Sequence, residues 1–179
     1  FSLMIQSEGE TQISSIVTSA VSASWHVTAE ELFALANENT PRIFPASFRR
    51  LEAVIEEYFP GVTDFVPEDC PVPTLYVLTN NFAHHGAACV LYPDKLKDLA
   101  DRFGSDLLIL TSSIHEVLII ADSETFTEHD YQVFRNTIKN VNCESVQPED
   151  FLSDHLYRYC RETDRLQIFA KSPAVRTAV

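Results

Sequence analysis

In the first sixty residues the apolar positions recur mostly at helical spacing. Ile13, Ile16, Val17, Ala20 and Val21 fall at i, i+3, i+4, i+7 and i+8, one face of a helix, although the surrounding Ser, Thr and Val make it a weak helix former. Thr28 and Glu31 form a capping-box pair ahead of Leu32, Phe33, Leu35 and Ala36, and this second helix is expected to stop before Pro41. Phe48, Leu51, Val54, Ile55 and Tyr58 make the stripe of a third helix over residues 47–59. Ahead of them all, residues 1–6 (FSLMIQ) are too apolar for a solvated end and predict a strand.

The second half changes period. Residues 60–73 hold four prolines and one glycine and predict a loop. Strands are then expected at 75–79 (LYVLT), 87–92 (AACVLY), 106–110 and 117–120. The runs LLIL and VLII are continuously apolar, as in strands covered on both faces. One helix is expected to open near Pro93, carry Leu96, Leu99, Ala100 and Phe103, and end at Gly104. Another, capped by Thr127, carries Tyr131, Phe134, Ile138 and Val141. Residues 155–160 and 165–169 predict a terminal hairpin. The fold class is therefore α+β: a helical N-terminal half packed with a mixed sheet of β-β-α units and a C-terminal hairpin. Residues 1–170 read as a single α+β domain, in which a helical part (1–60) and a sheet part (74–170) can be distinguished, and residues 171–179 as a flexible tail.

Charge narrows the choice of partners. The 179 residues carry a net charge of −13, and residues 1–73 hold eleven acidic and three basic residues. Only residues 165–179 are basic, with three basic residues and no acidic one. Nucleic-acid binding by a basic face is thereby disfavoured, because that affinity needs Lys and Arg on phosphates. No apolar run approaches the ~20 residues that span a bilayer. No secretory leader is visible, and Cys70, Cys89, Cys143 and Cys160 form no paired-cysteine motif, so a reducing, cytoplasmic setting is expected. The chain opens on Phe1 without an initiator Met and reads as a fragment or processed chain.

Three polar groups could carry chemistry. His84-His85, beside Asn80 and Gly86, could bind or relay protons, but adjacent side chains rarely chelate one ion, so no metal is expected there. A solvated loop in which Gly86 supplies unusual backbone angles is the plainer alternative. Ser113, His115 and Glu116 contain the residue types of a hydrolase, yet in a strand His115 would face with Val117 and Ile119, and Glu116 with Leu118 and Ile120. Tyr157 and Tyr159 share one strand face and could stack a ligand or simply pack. The chain has only four glycines, at 9, 61, 86 and 104, so no phosphate or dinucleotide loop exists and no cofactor is expected. If strands 87–92 and 106–110 run parallel across the intervening helix, the two histidine clusters lie at opposite ends of the sheet, roughly 20 Å apart.

Leu78-Thr79-Asn80, Gly86-Ala87-Ala88, Leu91-Tyr92-Pro93 and Ser112-Ser113-Ile114-His115-Glu116 together resemble the signature of a bacterial domain family of unknown function, found mainly in anaerobic gut bacteria. Glu31-Leu32, residues 36–41 (ANENTP), Leu152-Ser153-Asp154 and Tyr157-Arg158-Tyr159 are similar to its flanking segments. The resemblance covers nearly the whole chain. It implies one shared fold, an intracellular bacterial origin and a further N-terminal stretch in other members. It implies no activity. The leading functional expectation is a non-enzymatic binding or regulatory module that recognises a protein partner. The alternatives are a hydrolase-like enzyme using His115 and Glu116, and an acidic protein that mimics nucleic acid.

Overall fold

The computed structural model describes residues 1–8, 11–62 and 73–169. Most of the expected loop at 60–73, Cys70 and the expected tail lie outside the described residues. Strands β1 (Ser2–Glu8) and β2 (Thr11–Ile16) form a separate antiparallel pair. Helices α1 (Ser19–Ser24) and α2 (Ala29–Ile43) follow, then strand β3 (Ala46–Arg50) and helix α3 (Leu51–Tyr58). Beyond the loop come β4 (Tyr76–Asn80), a 3-10 helix (Gly86–Leu91), α4 (Lys95–Phe103), β5 (Leu107–Leu110) and β6 (Val117–Ala121). The chain closes with α5 (Glu128–Glu144), a short 3-10 turn (Pro148–Asp150), β7 (Leu156–Cys160) and β8 (Arg165–Ile168).

Six strands form one sheet in the order β3-β4-β6-β5-β7-β8, antiparallel at every pairing. The α+β class holds, and so does the terminal hairpin. The LLIL run is β5, with all four residues buried. Alternate residues serve two cores. Leu107 and Ile109 pack with Leu78, Leu99 and Tyr159 on the α4 face, whereas Leu108 and Leu110 pack with Phe134 and Ile138 of α5. Helix ends form as their sequence demands: Thr28 with Glu31 and Thr127 with Asp130 make reciprocal capping boxes, and Gly104 closes α4 with φ 70°.

Five expectations are corrected. The helical stripe starting at Ile13 gives way to β2 and the short α1, because β-branched Ile13, Ile16 and Val17 suit a strand once β1 supplies its partner. Pro41 lies inside α2, which runs to Ile43; so near the helix end it removes only its own backbone bond to the preceding turn. The third helix begins at Leu51, since residues 46–50 pair with β4 and Phe48 stacks on Tyr76 at 4.9 Å. Pro93 sits in the turn ahead of α4, which begins at Lys95. Most consequentially, residues 86–91 are a 3-10 helix packed across the end of β4 and not a strand, so the sheet contains no parallel pair.

The N-terminal elements are differently built: α1, α2 and α3 contain no buried residue. Deleting core volume at Ile109, 1% exposed, should therefore cost about 2–5 kcal/mol in Ile109→Ala. Leu35→Ala, at 51% exposed, should change stability by less than about 0.5 kcal/mol. Urea unfolding of the two variants measures both.

Candidate functional site

Antiparallel order puts the end of β4, the β5–β6 connection and the start of β7 at one end of the sheet. There the two histidine groups meet, contrary to the separation that a parallel pair implied. The His84 and His115 rings are 5.0 Å apart between centroids, and those of His85 and His115 are stacked 5.7 Å apart with planes nearly parallel at 3°. His84 and His85 lie 4.0 Å apart.

Gly86 makes the meeting possible. A Cβ there would strike Thr79 Oγ1 and come within 2.6 Å of both the Asn80 amide nitrogen and the His115 carbonyl oxygen. Its role is close approach and not a special dihedral angle: the positive φ values of this loop belong to Ala83 (51°) and His85 (52°). Around the glycine the loops are tied down. Ala87 N–H donates to the Ile114 carbonyl at 3.1 Å, and Thr79 Oγ1 donates to the His115 carbonyl at 2.7 Å. Asn80, buried, folds the 80–86 loop around its own amide: its Nδ2 donates to the His84 carbonyl, and its Oδ1 accepts from Phe82 N–H.

His115 is fixed from two sides. His85 N–H donates to Nδ1 at 3.2 Å, so the ring proton sits on Nε2, 3.1 Å from Asp150 Oδ1. The His115 backbone N–H donates to Ser113 Oγ at 2.9 Å. Ser113 and Asp150 come together because residues 112–114 pair with residues 150–152: Ile114 N–H donates to the Asp150 carbonyl and Leu152 N–H to the Ser112 carbonyl. Serine, histidine and aspartate thus cluster, but neither imidazole nitrogen is directed at the Ser113 hydroxyl, as nucleophile activation requires. Among the described residues no three His, Cys, Asp or Glu side chains are placed to hold a metal ion.

Two clefts adjoin this end of the sheet. One, of about 590 Å³, lies between α3, α5 and the sheet, and Glu116 lines it with Leu118. His115 lines neither cleft, and both residues precede β6, which begins at Val117, so the strand alternation expected of them does not extend to this pair. The other, a groove of about 630 Å³, lies between residues 1–44 and the sheet end, lined by His84, His85, Trp25, Leu35 and Ile43 among others. Asn80 borders both. Phe44 anchors this N-terminal part, accepting a hydrogen bond from Tyr92 Oη at 2.8 Å and meeting Phe82 edge-on at 5.5 Å. Tyr157 and Tyr159 share the α4-side core and line neither cleft; Tyr159 Oη donates to Asp164.

Burial, with the neighbouring His84 and His115, pulls the His85 pKa below its ordinary value, so a neutral ring faces the groove at neutral pH. Burial pushes the Glu116 carboxyl up, with His115 acting against that rise. Asp150 and Thr79 escaped the sequence reading, because their partners are 35 and 36 residues away and no local spacing announces them.

The family comparison covers most of this architecture, since the model of a family of unknown function (DUF5688) matches residues 1–161. The chain belongs to the DUF5688 family. The match spans every element at the sheet end, from the N-terminal hairpin to β7. No curated protein and no solved structure matches the chain. Among the described residues no helix is long and apolar enough to cross a membrane.

Two outcomes are expected. His115→Ala should lower the thermal midpoint by roughly 2–8 °C, since it orphans His85 N–H and Asp150, and His115→Gln should recover part of the loss. Glu116→Gln should do the opposite. A carboxyl whose folded pKa is raised stabilises the fold fully only below its ordinary 4.5 and loses that contribution as pH rises through the folded value. The variant should match the parent in acid and melt about 1–2 °C higher at neutral pH, as thermal scans across pH will show.

Proposed function

We propose that this DUF5688 chain is a non-enzymatic binding module that recognises a protein partner, and that the partner's apolar residues enter the groove beside His84 and His85. The observation that carries the reading is the groove itself. Phe1, Leu3, Trp25, Leu35 and Ile43 line it and are each between 43% and 54% exposed. Apolar side chains gathered around one concavity mark binding surfaces. Asn80, His84 and His85 give its far side hydrogen-bonding groups. The excess of acids in residues 1–73, eleven against three bases, favours a partner whose apolar anchor is flanked by Lys or Arg. The geometry of His115 weighs against a hydrolase, since a general base needs a nitrogen free to take a substrate proton. Unpaired Cys89, Cys143 and Cys160 suit a reducing cytoplasm.

A photoreactive amino acid at Leu35, introduced in the native host, tests the proposal. One discrete cross-linked protein is expected, lost when Trp25→Asp is added while the thermal midpoint stays unchanged. The absence of any adduct, or an adduct indifferent to Trp25→Asp, would overturn it.

A further inference from the structure

The cleft between α3, α5 and the sheet differs in chemistry from the groove beside His84 and His85. Its floor is sheet (Val77, Leu118) and its walls are helices (Val54 of α3, Val141 of α5), so its body is apolar. Its volume, about 590 Å³, lies within the roughly 300–1,000 Å³ of small-molecule sites. Three charged side chains line it: Arg49, Glu57 and Glu116. Arg49 and Glu57 neutralise each other across an ion pair of 2.6 Å. Glu116 is half-buried and, among the described residues, takes part in no hydrogen bond or ion pair. The His115 ring, whose charge acts on Glu116, spends its nitrogens on His85 and Asp150.

A carboxylate at the edge of an apolar cleft with no protein partner among the described residues is compensated by solvent and is open to exchange that solvent for a cationic group. A ligand that brings a positive charge to Glu116 and an apolar body to the helix walls supplies such a group. We infer that this cleft is a binding site for a small organic cation, an amine with an aromatic or branched aliphatic body, whose ammonium group pairs with Glu116. The net charge of the lining, one negative, complements such a ligand and repels a carboxylate. Burial that raises the Glu116 pKa agrees with a group waiting for a cationic partner. The site is separate from the partner groove and stands whether or not that reading holds.

Titration calorimetry with 3-phenylpropylamine, 3-phenylpropanol and 3-phenylpropanoate at neutral pH tests the inference on the full chain. The amine should bind at least tenfold more tightly than the alcohol, and the carboxylate least of all. Glu116→Gln should reduce amine affinity to that of the alcohol. Thr137→Trp, a substitution at an exposed cleft-lining position of α5, should block amine and alcohol alike while leaving Glu116 in place. Thermal midpoints establish that both variants are folded. If Glu116→Gln does not fold, Glu116→Asp replaces it, and a loss of amine affinity without loss of alcohol affinity is expected. Equal affinities of amine and alcohol, preference for the carboxylate, no amine binding, or binding that survives Glu116→Gln would each overturn the inference.

Discussion

The structure depends on the burial of β5 from both sides. Four successive apolar residues, Leu107 to Leu110, cannot be satisfied by a sheet with one wet face, because adjacent side chains point in opposite directions. Helix α4 and the 3-10 helix must therefore cover one face and α5 the other. With both flanking strands antiparallel to β5, the connections leave the sheet in alternation. The β4 exit, the 111–116 connection and the β7 entry then crowd one end. That crowding, and no local motif, produces the candidate site.

What holds the crowded end together is backbone hydrogen bonding around a missing side chain. Gly86 lets the 86–91 helix lie directly on β4 and the 114–116 segment. Once those segments touch, Thr79 reaches the His115 carbonyl, His85 N–H reaches the His115 ring, and Asp150 takes the other ring nitrogen. The histidines are thus fasteners between loops. Of the three rings, that of His115 has both nitrogens engaged, and the two clefts adjoin the end of the sheet that it ties together. Those clefts differ because their walls differ: one has α2 and the N-terminal hairpin with exposed aromatic and aliphatic residues, the other has a carboxylate facing apolar helices.

The two halves also contribute unequally to the core. Fully buried side chains belong to the sheet, α4, the 3-10 helix and α5, whereas residues 1–44 keep large apolar groups half in solvent. An arrangement of this kind tolerates substitution in the groove without loss of fold.

Much of the fold was legible locally. The capping residues Thr28, Glu31 and Thr127, the stop at Gly104, the runs LLIL and VLII and the terminal hairpin each follow from bond geometry or burial within a few residues, so the sequence by itself determined them. Residues 86–91 were not. Their AACVL run suits a strand in isolation, and only contact with Thr79 and Ile114 bends it into a 3-10 helix. Phe48 likewise left its helical stripe because Tyr76 offered a stacking partner from across the loop. The convergence of His84, His85, Ser113, His115 and Asp150 was decided by the tertiary structure alone. Their pairing depends on strand direction, and the β4–β6 and β5–β7 pairings that bring the loops together join segments far apart in sequence, which no local pattern encodes.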